Sequence, residues 1–361
     1  SRQTLFKVFG MIFAGILAGC FFCFHMNERK QSCTEQLFAM DTFMTFTACG
    51  RDCEEAVEEA IWEVQRLDAL WSTGSADSEV SRVNASGSGE LSEDSRVLLE
   101  RALEIHKETG GLFDPTIYPL MQLWGFPTQE YHVPTDAELK EALSLVDASK
   151  VQYDGASVTL EEKQKIDFGG IAKGYTSARI MEIFRSHGIR SGMVSLGGNV
   201  QTIGKKPDGT RWQIGIQDPD STQGEVLAVV EAEDQAVITS GGYERYFEED
   251  GNTYIHIIDP RTGYPADGDL KSVTIVSGDG TLADALSTSL YIMGYDGAVE
   301  YWKAHSEAFD MVLVTDQGGL YVTEGLRDRF RSETDPVIFE QGLVMLLSLS
   351  DSGMSESIIM E

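Results

Sequence analysis

Thr239-Ser-Gly-Gly-Tyr-Glu-Arg-Tyr-Phe247 and His256-Ile-Ile-Asp-Pro-Arg-Thr-Gly-Tyr-Pro265, joined across Glu248-Glu-Asp-Gly-Asn252, decide how this chain folds. Two extended runs around an Asp-Gly turn read as the arms of a hairpin, so neighbouring strands here run antiparallel. The second arm ends in a loop punctuated by proline and glycine. Within six residues it carries His256, Asp259 and Arg261, which suggests a site more than a plain connection.

Outward from this hairpin the pattern repeats. Strands are expected at 151–160, 192–204, 211–217, 226–232, 235–240, 253–258 and 271–277, with closing strands near 309–315 and 319–323. Helices interrupt at about 171–187 and 282–304. Upstream, 38–48 alternates as a strand does. Val57, Ile61, Val64, Leu67 and Leu70 recur at helical spacing, and a further helix covers about 93–108 before Thr109-Gly-Gly. Paired strands with inserted helices argue an α+β fold, with largely antiparallel or mixed sheets flanked by helices, rather than a doubly wound one.

The expected division is an N-terminal signal or anchor (1–26), a polar linker (27–37), a main domain (38–330) and a C-terminal tail (331–361). In the tail, the apolar patch Leu343–Leu347 either docks or stays disordered. Arg2 and Lys7 precede an apolar run from Val8 to Met26, and Leu17-Ala-Gly-Cys20 inside it resembles a bacterial lipoprotein box. The same run is near the ~17–25 residues of a spanning helix, so lipid anchor and uncleaved membrane anchor are both open. Either places the main domain on the extracytoplasmic face of a bacterial cell membrane.

With 28 basic and 58 acidic residues the net charge is −30, which repels phosphate backbones, and no nucleic-acid partner is expected. All five cysteines lie in the first 53 residues. Cys49 and Cys53 can pair in an oxidising compartment, but their spacing is no zinc or redox motif, and the scattered histidines argue against zinc.

Five segments carry the candidate chemistry. Ile166-Asp-Phe-Gly-Gly-Ile-Ala-Lys-Gly-Tyr175 opens a helix whose unpaired amides can meet a phosphate, with Gly169 and Gly170 permitting close approach. Lys173 sits against the helix dipole there, which favours a role for it; the alternative is a tight turn with a solvated lysine. Asp284 and Thr288, four apart on one helix face, offer hard oxygens suited to Mg²⁺. They read equally as N-terminal helix charge and core hydroxyl. Gly111-Leu-Phe-Asp-Pro-Thr-Ile-Tyr-Pro-Leu-Met-Gln-Leu-Trp-Gly-Phe126 can wall a planar ring while Asp114 fixes a polar edge, or be a buried structural loop. His256 and Asp259 are base and orienter, or a buried histidine beside an Asp-Pro turn. Ser195-Leu-Gly-Gly-Asn199 reads as a strand end against a close backbone neighbour.

In this order the segments resemble the FAD:protein FMN transferase family (ApbE-type flavin transferases). The resemblance runs over about 38–330. It is carried by Met40-Asp-Thr, Ser78-Glu-Val-Ser-Arg-Val-Asn84, Phe113-Asp-Pro-Thr with Trp124-Gly-Phe, Asp167-Phe-Gly-Gly-Ile-Ala-Lys-Gly174, Gly197-Gly-Asn, Thr239-Ser-Gly, His256-Ile-Ile-Asp-Pro-Arg-Thr-Gly263 and Ala283-Asp-Ala. It implies an ApbE-like fold and an enzyme that uses Mg²⁺ and FAD to join FMN to a Thr or Ser hydroxyl of acceptor redox protein subunits, with AMP leaving. It implies flavin contacts from Met40, the loop near Gly74, Leu112, Phe113, Asp114, Asp167, Lys173 and Ile258. Metal ligation is implied for the Gly170 carbonyl, Asp284 and Thr288. Relatives often carry a stacking aromatic where Gly74 stands, and some are acidic at Ser287. The chemistry asks for an activated hydroxyl: His256 is the expected base, with Asp284 as the alternative. The competing functions are an FAD pyrophosphatase, with water as nucleophile, and a non-catalytic flavin-binding lipoprotein.

Overall fold

The computed structural model describes residues 32–221, 224–340, 343–345 and 359–360. The expected anchor (1–26), Cys20 within it, and most of Leu343–Leu347's surroundings lie outside those residues. Among the described residues no helix is long and apolar enough to cross a membrane.

The chain begins with a hairpin, β1 (Ser32–Ala39) and β2 (Thr42–Cys49), followed by α1 (Cys53–Trp71), α2 (Glu79–Ser86), β3 (Ser88–Glu90) and α3 (Glu93–Glu108). The single strand expected at 38–48 is thus two, turning at Met40 and Asp41, both at positive φ (48° and 58°). β1 also begins inside the stretch read as linker. It is a mostly exposed edge strand, so its polar sequence gave no core signal.

Two short helices, α4 (Tyr118–Trp124) and α5 (Asp136–Leu143), precede β4 (Gln152–Tyr153) and β5 (Ser157–Thr159). Then come α6 (Ala172–Ser186), β6 (Ser191–Leu196), β7 (Asn199–Ile203), β8 (Trp212–Gln217), β9 (Val226–Ala232) and β10 (Ala236–Gly241). β11 (Tyr246–Glu249) and β12 (Asn252–Ile255) form the expected hairpin, in register Tyr246↔Ile255 to Glu249↔Asn252. β13 (Leu270–Ser277), α7 (Gly280–His305), β14 (Asp310–Thr315), β15 (Leu320–Thr323), β16 (Phe330–Ser332) and β17 (Val337–Glu340) complete the main body.

The large sheet runs β1-β2-β6-β7-β10-β13-β14-β15-β17, with two further short strands (Leu343–Met345 and Ile359–Met360) beyond. Every pair is antiparallel except β15 with β17. β17 also revises the expected boundary at 330. Phe339 is 1% exposed and stacks on Tyr321, so part of the stretch read as a tail belongs to the core.

α1 buries Ala56, Val57, Ala60, Val64 and Leu67, one stripe at helical spacing, against β2 and α6. α7 packs on β10, β13 and α6 and is almost wholly buried along its first half. Asp279 caps its start by accepting from the Leu282 amide. A non-helical Gly294 (φ 75°) breaks it, and Asp269 accepts the freed Tyr295 amide there.

Cys53, at the start of α1, is disulfide-bonded to Cys33, and Cys49 is free. The expected Cys49–Cys53 pairing is therefore replaced. The cause is strand alternation: Cys33 lies opposite buried Ala48 and shares its face toward α1, whereas Cys49, one residue on, points to the other side.

Candidate functional site

α6 and α7 meet through two glycines. A Cβ on Gly174 would lie 2.1 Å from the Gly280 carbonyl oxygen and 2.6 Å from Asp284 Cβ, so only glycine lets the helices come this close. The Gly174 amide then donates to Asp284 Oδ2 at 2.8 Å. Gly174 is the third residue of α6, so its amide has no acceptor within the helix. Among the described residues no donor takes the Gly170 carbonyl. The free amides at the start of α6, expected to wait for a phosphate, are partly committed to a side chain across the crossing.

Asp284 is 6% exposed. Its Oδ1 accepts from Asn199 Nδ2 at 2.9 Å. Burial pushes its pKa up, while the Lys173 charge, the Gly174 amide, the Asn199 amide and the Lys173 amide pull the other way. Among the described residues no cation pairs with it at salt-bridge distance. One helical turn on, the Thr288 hydroxyl lies 3.2 Å from Ser240 Oγ, which lies 2.8 Å from Ser287 Oγ. Ser287 is fully buried and also donates to the Asp284 carbonyl, so it faces inward.

This donor set fits Mg²⁺. A buried carboxylate without an ion pair, a neighbouring hydroxyl and an unclaimed main-chain carbonyl are hard oxygens in number few enough for an ion that keeps waters and phosphate oxygens. Among the described residues no group of three or more His, Cys, Asp or Glu side chains gathers, so a nitrogen- and thiolate-rich cage is not offered.

His256 follows β12. Its Nδ1 lies 3.1 Å from the Arg245 carbonyl oxygen, which also accepts the His256 amide at 3.0 Å. A carbonyl only accepts, so Nδ1 carries the proton of the neutral ring and the lone pair sits on Nε2. The residue is half-buried in the cleft. Burial first, then the Arg245 and Lys173 charges, push its pKa down to about 4. The expected orienter, Asp259, does other work: its carboxylate accepts from Arg261 Nε and Nη2 and from the Arg261 amide. The orienting group is the Arg245 main chain.

These elements line one cleft, with a cavity volume of about 230 Å³. It brings together Leu112, Phe113, Asp114, Asp167, Gly169, Gly170, Lys173, His256, Ile258, Asp284 and Thr288. Met40 and Gly74 are not among its lining residues. Met40 packs into the hydrophobic core at the β1–β2 turn, and Gly74 lies exposed in the loop before α2. Asp114 lines the cleft, but its carboxylate is engaged by structural donors, accepting from the Thr116 amide of its own loop at 2.7 Å and from the Ala148 amide beyond α5 at 3.2 Å. Asp167 accepts the Gly169 amide at 2.9 Å, and burial raises its pKa against that bond.

Asn199, Ser240, Glu244 and Arg245 also line the cleft, although the sequence reading assigned none of them a role. Asn199 and Ser240 stand directly beside glycines, which was the one signal available for them; Glu244 and Arg245 lie in the first hairpin arm, with no such mark. Burial raises the Glu244 pKa to about 7; Lys173 opposes this and Asp284 reinforces it.

A sequence model described as the ApbE family matches residues 40–313. The FAD:protein FMN transferase of Treponema pallidum is 34% identical over 295 residues, covering 76% of this chain and 81% of the relative. That of Vibrio cholerae is 34% identical over 261 residues, covering 71% and 78%. Among solved structures, the ApbE protein of Thermotoga maritima superposes with a TM-score of 0.79 at 32% identity, over 84% of this chain and 100% of that one. The flavin transferase ApbE from Vibrio cholerae does so at 0.74 and 27%, over 83% and 99%. A paired-glycine helix crossing, a buried carboxylate and a neutral histidine in one cleft of an α+β fold therefore carry a family assignment as well as a geometry: this chain belongs to the ApbE family.

Proposed function

We propose that this protein is an FAD:protein FMN transferase acting on a Ser or Thr hydroxyl of an acceptor redox protein. The observation that carries the reading is the cleft itself, where a carboxylate, a hydroxyl and a free carbonyl at the α6–α7 crossing share a wall with a neutral histidine. Mg²⁺ held by Asp284, Thr288 and the Gly170 carbonyl would supply charge neutralisation to the diphosphate of FAD. Leu112, Phe113, Ile117, Met121 and Ile258 form an apolar wall suited to the flavin ring.

In the reaction the acceptor oxygen forms a bond to the flavin-side phosphorus. The bond from that phosphorus to the bridging oxygen breaks, and AMP leaves with that oxygen. His256 Nε2 takes the hydroxyl proton, and the Arg245 carbonyl on Nδ1 holds the ring for it. Lys173 and Arg245 place positive charge beside the phosphates in an otherwise acidic protein.

An extracytoplasmic location and an N-terminal membrane anchor are part of this reading. The Cys33–Cys53 disulfide supports an oxidising compartment. The deciding experiment incubates the protein with FAD, Mg²⁺ and a Ser/Thr-containing acceptor peptide. Mass spectrometry should find the added FMN mass on the peptide, with AMP released only when peptide is present. AMP release without peptide would identify a pyrophosphatase instead.

A further inference from the structure

We propose that Asn199 is a positioning residue for Asp284, fixing its carboxylate in the orientation that presents a lone pair to a divalent cation. The inference rests on Asp284 acting as the cation ligand of the proposed transferase.

Asn199 is 3% exposed and Asp284 6%, so neither has water to share freely. Asn199 Nδ2 donates to Oδ1 at 2.9 Å from β7, and the Gly174 amide donates to Oδ2 at 2.8 Å from α6. The charge of the carboxylate fixes which way the Asn199 amide faces, since its carbonyl end would be repelled. The two carboxylate oxygens are thereby held by donors on different elements, with the Lys173 amide as a further donor, and torsion about the Asp284 side chain breaks at least one bond. Outer partners of this kind orient a ligand and tune its affinity for metal.

The strand that carries Asn199 is itself pinned. The β6–β7 turn is Gly197-Gly198, both at positive φ (63° and 93°), and a Cβ on Gly197 would lie 2.2 Å from Thr42 Oγ1. Two residues beyond Asn199 on the same strand face, Gln201 Oε1 accepts from Ser177 Oγ of α6 at 2.6 Å. β7 therefore hydrogen-bonds to α7 through Asn199 and to α6 through Gln201, whose Oε1 also packs against Gly280 at the start of α7. Only the first contact reaches Asp284, which separates positioning from general support.

The test measures Mn²⁺ binding by electron paramagnetic resonance on the full protein, without FAD or acceptor, for wild type, Asn199→Ala, Asn199→Ser and Gln201→Ala. Both Asn199 variants should bind Mn²⁺ about 10-fold to 100-fold more weakly, and Gln201→Ala should stay within about twofold of wild type. In nucleotide cleavage, the half-saturating Mg²⁺ concentration of the Asn199 variants should rise by the same factor, with kcat recovering at saturating Mg²⁺. The inference is overturned if the Asn199 variants bind within about twofold of wild type, if Gln201→Ala weakens binding equally, or if wild type binds no Mn²⁺. Because binding is read without FAD or acceptor, absence of flavin transfer in a protein that binds Mn²⁺ would count against the proposed function alone.

Discussion

The amide of Gly174, in the first turn of α6 and so without an acceptor in its own helix, donates to the carboxylate of Asp284 across the α6–α7 crossing, at 2.8 Å. One contact thus does two things: it satisfies a first-turn amide and stabilises a buried negative charge. Gly174→Ala forces a methyl group into the Gly280 carbonyl and Asp284 Cβ. We expect a loss of about 1–3 kcal/mol of stability, the usual cost of overpacking, measurable as a lower urea midpoint. Flavin transfer should fall with it, because the helices that carry the two halves of the site must separate.

His256 gives a second prediction. With Nδ1 committed to the Arg245 carbonyl and the folded pKa near 4, the ring is neutral and its Nε2 free at neutral pH. His256→Gln keeps polarity but removes the base, so kcat should fall about 10²–10⁴-fold with little change in KM for FAD. In wild type, the acidic limb attributable to this group should lie near pH 4 rather than 6.5. The stability consequence has a definite sign. The unfolded chain binds a proton at about pH 6.5 and the folded chain only near 4, so this contribution is complete above 6.5 and is lost as pH falls through that window. His256→Gln should flatten the pH dependence of the urea midpoint between those values.

The disulfide supplies a third. Cys33–Cys53 closes a loop of 20 residues, for which restriction of the unfolded chain is worth about 3 kcal/mol. Cys33→Ser should lower the melting temperature substantially, and dithiothreitol should lower that of wild type alike. Cys49→Ser, which removes a free half-buried thiol, should shift it little. Equal shifts for both variants would mean that the pairing is wrong.

Much of this was readable from sequence because the signals were periodic. The apolar stripe of α1 and the paired carboxylate and hydroxyl of α7 follow from 3.6-residue spacing alone, and Asp284 and Thr288 do reach one cleft. The hairpin at 246–255 announced itself through Asp250-Gly251. What escaped has no side-chain signature. The β1–β2 turn is made by Met40 and Asp41 at positive φ, which no glycine marks. The group that orients His256 is a main-chain oxygen, invisible in sequence, and Asp259 looked better placed for the task. Asp114 reads as a ligand-facing acid, yet two backbone amides of its surroundings claim it. Asn199 gained meaning only when folding set it against a carboxylate 85 residues away.

The buried carboxylate yields the last prediction. Burial raises the Asp284 pKa, and the Lys173 charge and the amides that bond it offset this only in part; the folded protein bears the cost of that charge until something neutralises it. Asp284→Asn removes the charge while keeping the shape. The metal-free variant should melt no lower than metal-free wild type. Addition of Mg²⁺ should raise the melting temperature of wild type, in proportion to ligand binding to the native state, and leave the variant unmoved. Flavin transfer by the variant should be lost even at saturating Mg²⁺, whereas wild type stripped with a chelator should regain it on adding Mg²⁺ back. A metal-free variant that melted well below wild type would show that the carboxylate is a structural hydrogen-bond acceptor first. An Mg²⁺ response surviving in Asp284→Asn would place the cation elsewhere.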